Sequence, residues 1–489
     1  MTYPRRIPHW IDDEEVWPDD DRHFCKYSPR DGASMAIVAR GGKPEVCRAL
    51  AAADAAARQW GALPVPARGA VIGELGLMLR ARQEEVAHVI AAETGKPLKY
   101  AAAEAVASCD LAMFMQGEGS RFYGRTTTSP IPHRSVRTIR QPIGICAAIT
   151  PFNSPLAGIA WKVFPALLCG NAVVAKSHEL TPYTAVWLAR LFKAAGLPAG
   201  LLSVIQGFGE EVGAPLVTDD RVGVVSFTGS AATGKAIQRA VSERAVLGKV
   251  CLELGGKNPL VVCDDADLDR AAEHAAASAF IDAGQRCAAG SRIIVFDTVY
   301  EAFRRRLLEK ASGLKVGADD GDDLGPVISE RQLERLLRTI AEVVNRGASI
   351  AFGGHRLTDA RHAAGHYLAP TILENVAPTD AVSQEELFGP VTCLYRVGSL
   401  DEAIALANGT AFGLTGAIHT INANRIEEFV NRYRAGLVSV NGPTYGSGPH
   451  MPFGGLKNSG NGFREPGTEA LDVYSELKTV VVNHDPQNV

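Results

Sequence analysis

Residues 144–176 read GICAAITPFNSPLAGIAWKVFPALLCGNAVVAK. Two short apolar runs, residues 145–149 and 172–176, flank a helical stretch over residues 161–168. Short apolar runs bounded by Gly and Pro read as strands buried on both faces. A strand, a helix and a second strand within about thirty residues form a βαβ unit, whose crossover makes the strands parallel.

The pattern continues downstream. Thr181 is placed as an N-cap with Pro182 at the first helical position, and Gly196-Leu197-Pro198 stops that helix. Strands follow at 201–205, 222–227 and 250–254, with helices at 210–217 and 231–240. This predicts an α/β fold with a parallel sheet covered on both faces, which binds nucleotides beyond its strand ends. A second alternating block spans 258–440, with strands near Leu260, Ile293, Leu394 and Val438 and helices at 268–281, 299–311, 332–345, 400–408 and 423–433. Upstream, 45–60, 67–94 and 101–117 have helical spacing. Residues 123–140 turn polar and alternating, as in an exposed hairpin. The strand-like tail 477–482 is expected to pair with that hairpin, from this chain or a neighbouring one.

Composition narrows the function. Lys and Arg number 50 against 54 Asp and Glu, a net charge of −4 over 489 residues. Neither nucleic acid nor an anionic membrane is an expected partner. The first 21 residues, MTYPRRIPHWIDDEEVWPDDD, lack the apolar core of a secretory signal. The most apolar segment, 147–175, is broken by Pro151, Asn153, Pro155, Lys162, Pro165 and Asn171, short of the roughly 20 apolar residues of a membrane span. The 9 cysteines include no CxxC pair and the 12 histidines no HExxH. No disulfide framework and no metal site are expected, and a cytoplasmic location fits.

Several segments carry chemistry. In GQRCAAG (284–290), Cys287 sits among small residues that leave its backbone accessible, beside an Arg286 that would favour a thiolate. The alternative is an inert buried thiol. In LELGGKNP (252–259), Glu253 lies in an apolar strand running into paired glycines. Such a carboxylate is costly unless it works as a base or pairs with Lys257. In PFNSP (151–155), flanking prolines would fix the Asn153 amide as an oxyanion donor, unless Asn153 satisfies only its own turn. Two glycine patterns compete for a phosphate. GFGEEVG (207–213) brings two acids to a helix start, where they repel an anion, whereas FTGSAATG (227–234) brings free N–H groups and a hydroxyl. Lys176 and Glu179 stand at a strand end, and EELFGP (385–390) offers Glu386 before a rigid turn.

In this order PFNSP, FTGS, LELGGKNP, GQRC, EELFGP and MPFGGLKNSG (451–460) resemble the aldehyde dehydrogenase family over about residues 20–485. The resemblance implies two Rossmann-like doubly wound domains with a small β oligomerisation extension. Residues 1–122 and 144–254 would form the cofactor-binding domain, 255–455 the catalytic domain, and 123–143 with 468–489 the extension of a homodimer or homotetramer. It also implies NAD(P)-dependent oxidation of an aldehyde to an acid. Cys287 would be the nucleophile that forms a thiohemiacetal and then a thioester. Asn153 and the Cys287 N–H would hold the oxyanion, and Glu253 would be the base that activates water. Lys176 and Glu179 would take the adenosine ribose, Gly229 and Ser230 the pyrophosphate, and Glu386 with Phe388 the nicotinamide ribose.

This chain departs from the family at Lys176-Ser177-His178-Glu179, where Lys-Pro-Ser-Glu is frequent. The retained Glu179 favours NAD, and the added cation potential of His178 leaves NADP possible. Glu253 favours water over CoA as acyl acceptor, because CoA-acylating relatives typically lack this base. A non-catalytic, crystallin-like member is the third reading. Arg286 resembles relatives that act on carboxylate-bearing semialdehydes.

Overall fold

The computed structural model describes residues 3–487. The outermost residues of the expected end units, 1–2 and 488–489, lie outside the described residues. The βαβ reading holds. Ile145–Ile149 and Ala172–Lys176 run parallel, with Ile145 opposite Ala172 and Ile149 opposite Lys176, and both strands are buried throughout. Their connecting helix, Pro155–Leu168, begins earlier than residue 161. Pro155 suits its first turn, where the missing N–H would have had no helical partner.

This unit belongs to a seven-stranded sheet ordered Lys249–Leu254, Val222–Gly229, Ile145–Ile149, Ala172–Lys176, Leu202–Ile205, His9–Ile11, Glu14–Val16. The first five strands are parallel. The last two are an antiparallel hairpin turned through Asp12 and Asp13, both at positive φ. Strands of three residues leave too little periodicity to read from sequence, so this hairpin is new.

The second sheet is ordered Ser349–Phe352, Thr371–Glu374, Val391–Val397, Gly290–Phe296, Asn258–Val262, Thr415–His419, Leu437–Val440, all parallel except the first. It separates two cores. Leu260, Val262, Ile293 and Val295 pack on one face, and Val261, Cys263 and Ile294 on the other. That alternation confirms a sheet covered on both sides. Each fully buried Val or Ile contributes about 1.5–3 kcal/mol.

Two helical expectations change. Residues 67–94 form two helices, Val65–Ala81 and Gln83–Thr94, broken at Arg82 (φ −117°, ψ 19°). Arg82 ties its guanidinium to Glu85 at 2.7 Å, and no Gly or Pro marks the break. The helix Tyr183–Ala194 is not capped by Thr181. Glu93 caps it instead, accepting the N–H groups of Tyr183 at 2.6 Å and Thr184 at 3.1 Å.

The tail strand Ser475–Asn483 pairs with the hairpin of its own chain. It runs antiparallel to Arg134–Pro142, from Ser475 opposite Pro142 to Asn483 opposite Arg134. Thr126–Thr127 lies on the other side of Arg134–Pro142. Among the described residues no single helix is both long and apolar enough to cross a membrane.

Candidate active site

The parallel strands of the first sheet end together. Lys176 lies opposite Ile149 and Ile205, Ile149 opposite Phe227, and Thr228 opposite Glu253. Asn153, Lys176, Glu179, Gly229, Ser230 and Glu253 therefore share one sheet edge, where ligands of doubly wound sheets bind. The second sheet presents its strand beginnings. Cys287 precedes Gly290–Phe296, and Glu386 and Phe388 precede Val391–Val397. Only Gly255, Gly256 and Lys257 link Lys249–Leu254 to Asn258–Val262. Gly256 is needed for close approach, since a Cβ there would meet the Cys287 carbonyl oxygen at 2.5 Å, whereas one on Gly255 would displace the Glu386 carboxyl.

The Cys287 loop is entered through three left-handed residues, Asp282, Ala283 and Gly284. Asn258 Nδ2 donates to the carbonyls of Cys287 at 2.7 Å and Ala289 at 2.9 Å, and Thr444 Oγ1 to that of Ala288 at 2.6 Å. The side chain of Cys287 is half-buried. Burial pushes its thiol up to about 12, and the carboxyls of Glu386 and Glu253 push the same way. Arg286 pulls the thiol down, in the direction expected, but burial and the two carboxyls outweigh it. Arg286 Nε is bound to Asp282 Oδ2 at 2.6 Å, and its guanidinium stacks on Tyr445 at 4.6 Å. Its pull on the thiol is the weakest of the influences there.

Glu253 is 4% exposed, and neither carboxyl oxygen has a hydrogen-bond partner. The salt bridge to Lys257 is therefore not formed. Burial, then the nearby Glu465, hold the Glu253 carboxyl well above its usual range. An orphaned buried carboxyl costs about 1–3 kcal/mol, and such a group calls for a function. It is enclosed by the segment after MPFGG. Gly460 bridges to Glu253, and Ser459 O accepts the N–H of Leu254 at 2.9 Å. Below it lies a buried ion pair, Lys162 Nζ to Glu465 Oε2 at 2.8 Å, with Ser226 Oγ 2.8 Å from Lys162 and Tyr474 on Glu465.

Asn153 follows Ile149 with its side chain half-buried. Its neighbour Phe152 meets Phe388 edge-on at 5.5 Å and His178 at 5.2 Å, so the aromatic contacts join the two sheet edges. On the nucleotide side, Lys176 Nζ is 2.9 Å from Glu179 Oε2. Burial opposes the charge on Glu179, but the cation of Lys176 helps hold it below the usual carboxylate range. Burial pushes His178 down to about 4, so it carries no charge near pH 7. The cation potential expected at His178 is thereby corrected. Ser230 caps the helix Ala231–Ser242, accepting the N–H of Thr233 at 3.1 Å. Glu211, in the rival glycine segment, is held by Arg40 at 2.9 Å. Glu386 accepts the N–H of Gly256 at 3.1 Å, and burial pushes its carboxyl up to about 7. A dinucleotide fits this donor set: an acid for ribose hydroxyls, a lysine, and a helix start for phosphate.

Sequence reading missed Asn258, the Lys162–Glu465 pair and Lys96, whose ammonium donates to the Asn153 carbonyl at 2.7 Å. A lysine within the apolar run 155–168 was a usable signal, since a buried cation requires a partner.

The chain matches the model of the aldehyde dehydrogenase family over residues 17–480. It is 38% identical over 440 residues to the α-ketoglutaric semialdehyde dehydrogenase of Bacillus subtilis (strain 168), covering 90% of each chain. It is 37% identical over 478 residues to retinaldehyde dehydrogenase 3 of Rattus norvegicus, covering 96% of this chain and 92% of the relative. Its fold superposes with a TM-score of 0.95 on the crystal structure of betaine aldehyde dehydrogenase from Staphylococcus aureus in complex with NAD+, at 32% identity over 99% of this chain and 96% of that one. This chain belongs to the aldehyde dehydrogenase family.

Proposed function

We propose that this chain oxidises an aldehyde to its carboxylic acid with NAD, through a thiohemiacetal and a thioester on Cys287, and that water releases the acid. The observation that carries this reading is the buried, unpartnered carboxyl of Glu253, on a strand that only three residues of chain separate from the strand that holds the Cys287 loop. The Cys287 thiol loses its proton to solvent, and the thiolate sulfur attacks the carbonyl carbon. The Asn153 amide and the Cys287 N–H donate to the resulting oxyanion. Lys176, Glu179, Gly229, Ser230, Glu386 and Phe388 would hold NAD, which would supply the acceptor for the hydride released when the C–H bond of the thiohemiacetal carbon breaks. Glu253, once deprotonated, takes a proton from the water that attacks the thioester, and the Cys287 sulfur leaves. Its raised pKa makes it the stronger base.

The test is a single-turnover and steady-state pair. Cys287→Ala should form no NADH yet keep NAD binding. Glu253→Gln should keep the NADH burst and lose turnover. Undiminished turnover in Glu253→Gln would remove it as deacylation base. Acyl-CoA as product when CoA is added would favour the acylating alternative. Silence across a broad aldehyde panel would favour a crystallin-like role.

For substrate we infer a carboxylate-bearing semialdehyde, docked on Arg286. The relatives are named for several different aldehydes at similar identity, so the side chains beside Cys287 must discriminate. Arg286 is the cation next to the nucleophile, half-buried and fixed by Asp282 and Tyr445. Arg286→Ala should lower kcat/KM for succinic semialdehyde at least about tenfold more than for butanal. Equal losses would assign Arg286 to loop anchoring instead.

We also assign residues 1–122 and 144–254 to a cofactor-binding domain, 255–455 to a catalytic domain, and 123–143 with 468–489 to an extension that joins copies into a homodimer or homotetramer. Leu477, Val481 and Ile139 are exposed on that extension, which supports burial against a second copy. All nine cysteines are unpaired, in keeping with a cytoplasmic location.

A further inference from the structure

Lys96 lies outside both the nucleotide edge and the Cys287 loop, yet reaches toward both. It sits in the link Gly95-Lys96-Pro97 between the helices Gln83–Thr94 and Leu98–Glu118, 6% exposed. Its ammonium donates to the Asn153 carbonyl oxygen at 2.7 Å and to Glu104 Oε2 at 3.1 Å, and Asp282 Oδ1 lies 4.0 Å away. Each partner leads into the site. Glu104 Oε1 accepts the N–H groups of Leu156 at 2.9 Å and Ala157 at 3.1 Å, fixing the first helical turn after Asn153. Asp282 opens the left-handed run that delivers Cys287, and its Oδ2 holds Arg286.

The second oxygen of Asp282 is buried without a hydrogen bond. Lys96, Asn153, Asp282 and Gln285 line one small cavity at the seam between the two lobes. The catalytic-side chain packs directly against the link, since a Cβ on Gly325 would meet the Gly95 carbonyl oxygen at 2.6 Å and Lys96 Cα at 3.1 Å. One buried cation thus faces two buried carboxylates, one from each side of the seam. An ammonium suits this place because its three donors radiate from one atom. Removing it would leave the buried Glu104 carboxylate without its cation, which costs more than losing a single bond.

We propose that Lys96 is a positioning residue that sets the Asn153 amide and the Cys287 N–H at a fixed separation, by holding the Asn153 carbonyl while facing Asp282 across the seam. This rests on the reading of those two groups as oxyanion donors. A displacement of about 1 Å in such a pair lowers the rate about a hundredfold.

Lys96→Met keeps the apolar stem and removes the charge and its donors. The NADH burst, with succinic semialdehyde and butanal in parallel, should fall about 10- to 100-fold. NAD affinity and aldehyde KM should move less than about twofold, and Lys96→Arg should recover part of the loss. In an Asn153→Ala background, Lys96→Met should add less than about a twofold loss, because the group it positions is gone. A wild-type burst in Lys96→Met, or the same loss in both backgrounds, overturns the proposal. A wild-type burst in Asn153→Ala refutes the oxyanion reading itself, and the proposal with it. Should Lys96→Met not fold, Glu104→Gln keeps an acceptor for Leu156 and Ala157 while removing the charge that faces Lys96. A several-fold burst loss that vanishes with Asn153→Ala is then expected, and an undiminished burst overturns the proposal.

Discussion

The side-chain amide of Asn258 lies 2.7 Å from the carbonyl oxygen of Cys287. It also donates to Ala289 and accepts the N–H of Thr415. Asn258 is the first residue of its strand, four positions after the end of Glu253–Leu254. One amide thus ties the nucleophile's loop to the strand that continues from the base.

Asn258→Ala should leave two carbonyls and the Thr415 N–H without their partner at about 1–3 kcal/mol each. The burst of NADH should fall about a hundredfold as the loop loosens. Urea unfolding measures the first effect and stopped-flow absorbance the second. An unchanged burst in a destabilised protein would confine Asn258 to folding.

Glu253→Gln should alter stability as a function of pH. In the folded chain burial, chiefly, holds the carboxyl above its usual range, whereas unfolded it ionises near 4.5. The folded state then binds more protons, so this group's contribution is fully present below about pH 4.5 and is lost as pH rises toward the folded pKa. Glutamine has no proton to lose. The variant should therefore gain on the wild type as pH rises above about 4.5, by up to about 1.4 kcal/mol per unit. Thermal melts across that range check it, and parallel curves would mean that the buried carboxyl is ionised.

Glu386→Gln bears on the thiol. After burial, the carboxyl of Glu386 is the strongest influence pushing Cys287 up to about 12. Alkylation by iodoacetamide in the NAD-free protein should be slow at about pH 7 and rise about tenfold per unit without a plateau below about pH 10. Removing the Glu386 charge should speed it several-fold at about pH 8. A plateau near pH 8 in the wild type would show a thiolate already formed.

Much of this was legible because strand runs and glycine punctuation are local. The βαβ unit at 144–176 needs only its own residues, and Gly255-Gly256 announces a crowded crossing. The cap on Tyr183 was not legible, because Glu93 supplies it from 90 residues away. Lys96 was hidden for the same reason, since its partners Asn153 and Asp282 meet only in the folded chain. The direction of Arg286's pull on Cys287 was legible but its small size was not, because adjacency in sequence says nothing of where a guanidinium points. Asp282, one helical turn back, claims it.

His178 gives a cofactor prediction. Burial pushes it down to about 4, and it packs edge-on against Phe152. The ratio of NAD to NADP use should hence stay flat between about pH 6 and about pH 8. His178→Arg, which keeps its charge, should raise NADP use against NAD. A ratio that turns toward NADP as pH falls through about 6.5 would mean an ordinary, exposed imidazole.

The buried pair of Lys162 and Glu465 should be costly to break and cheap to replace. Lys162 Nζ, Glu465, Ser226 and Tyr474 satisfy one another in the core beneath Glu253. Lys162→Met leaves the Glu465 carboxylate buried and uncompensated, at about 3–5 kcal/mol. Replacing both charges with Met restores an apolar filling and should recover most of that loss, because the desolvation penalty disappears with the ions. Urea unfolding of the two single variants and the double variant measures the coupling. Additive losses would show that the two side chains do not act as a pair. A double variant that regains stability yet loses turnover would show that the charges under Glu253 are kept for the reaction rather than for the fold.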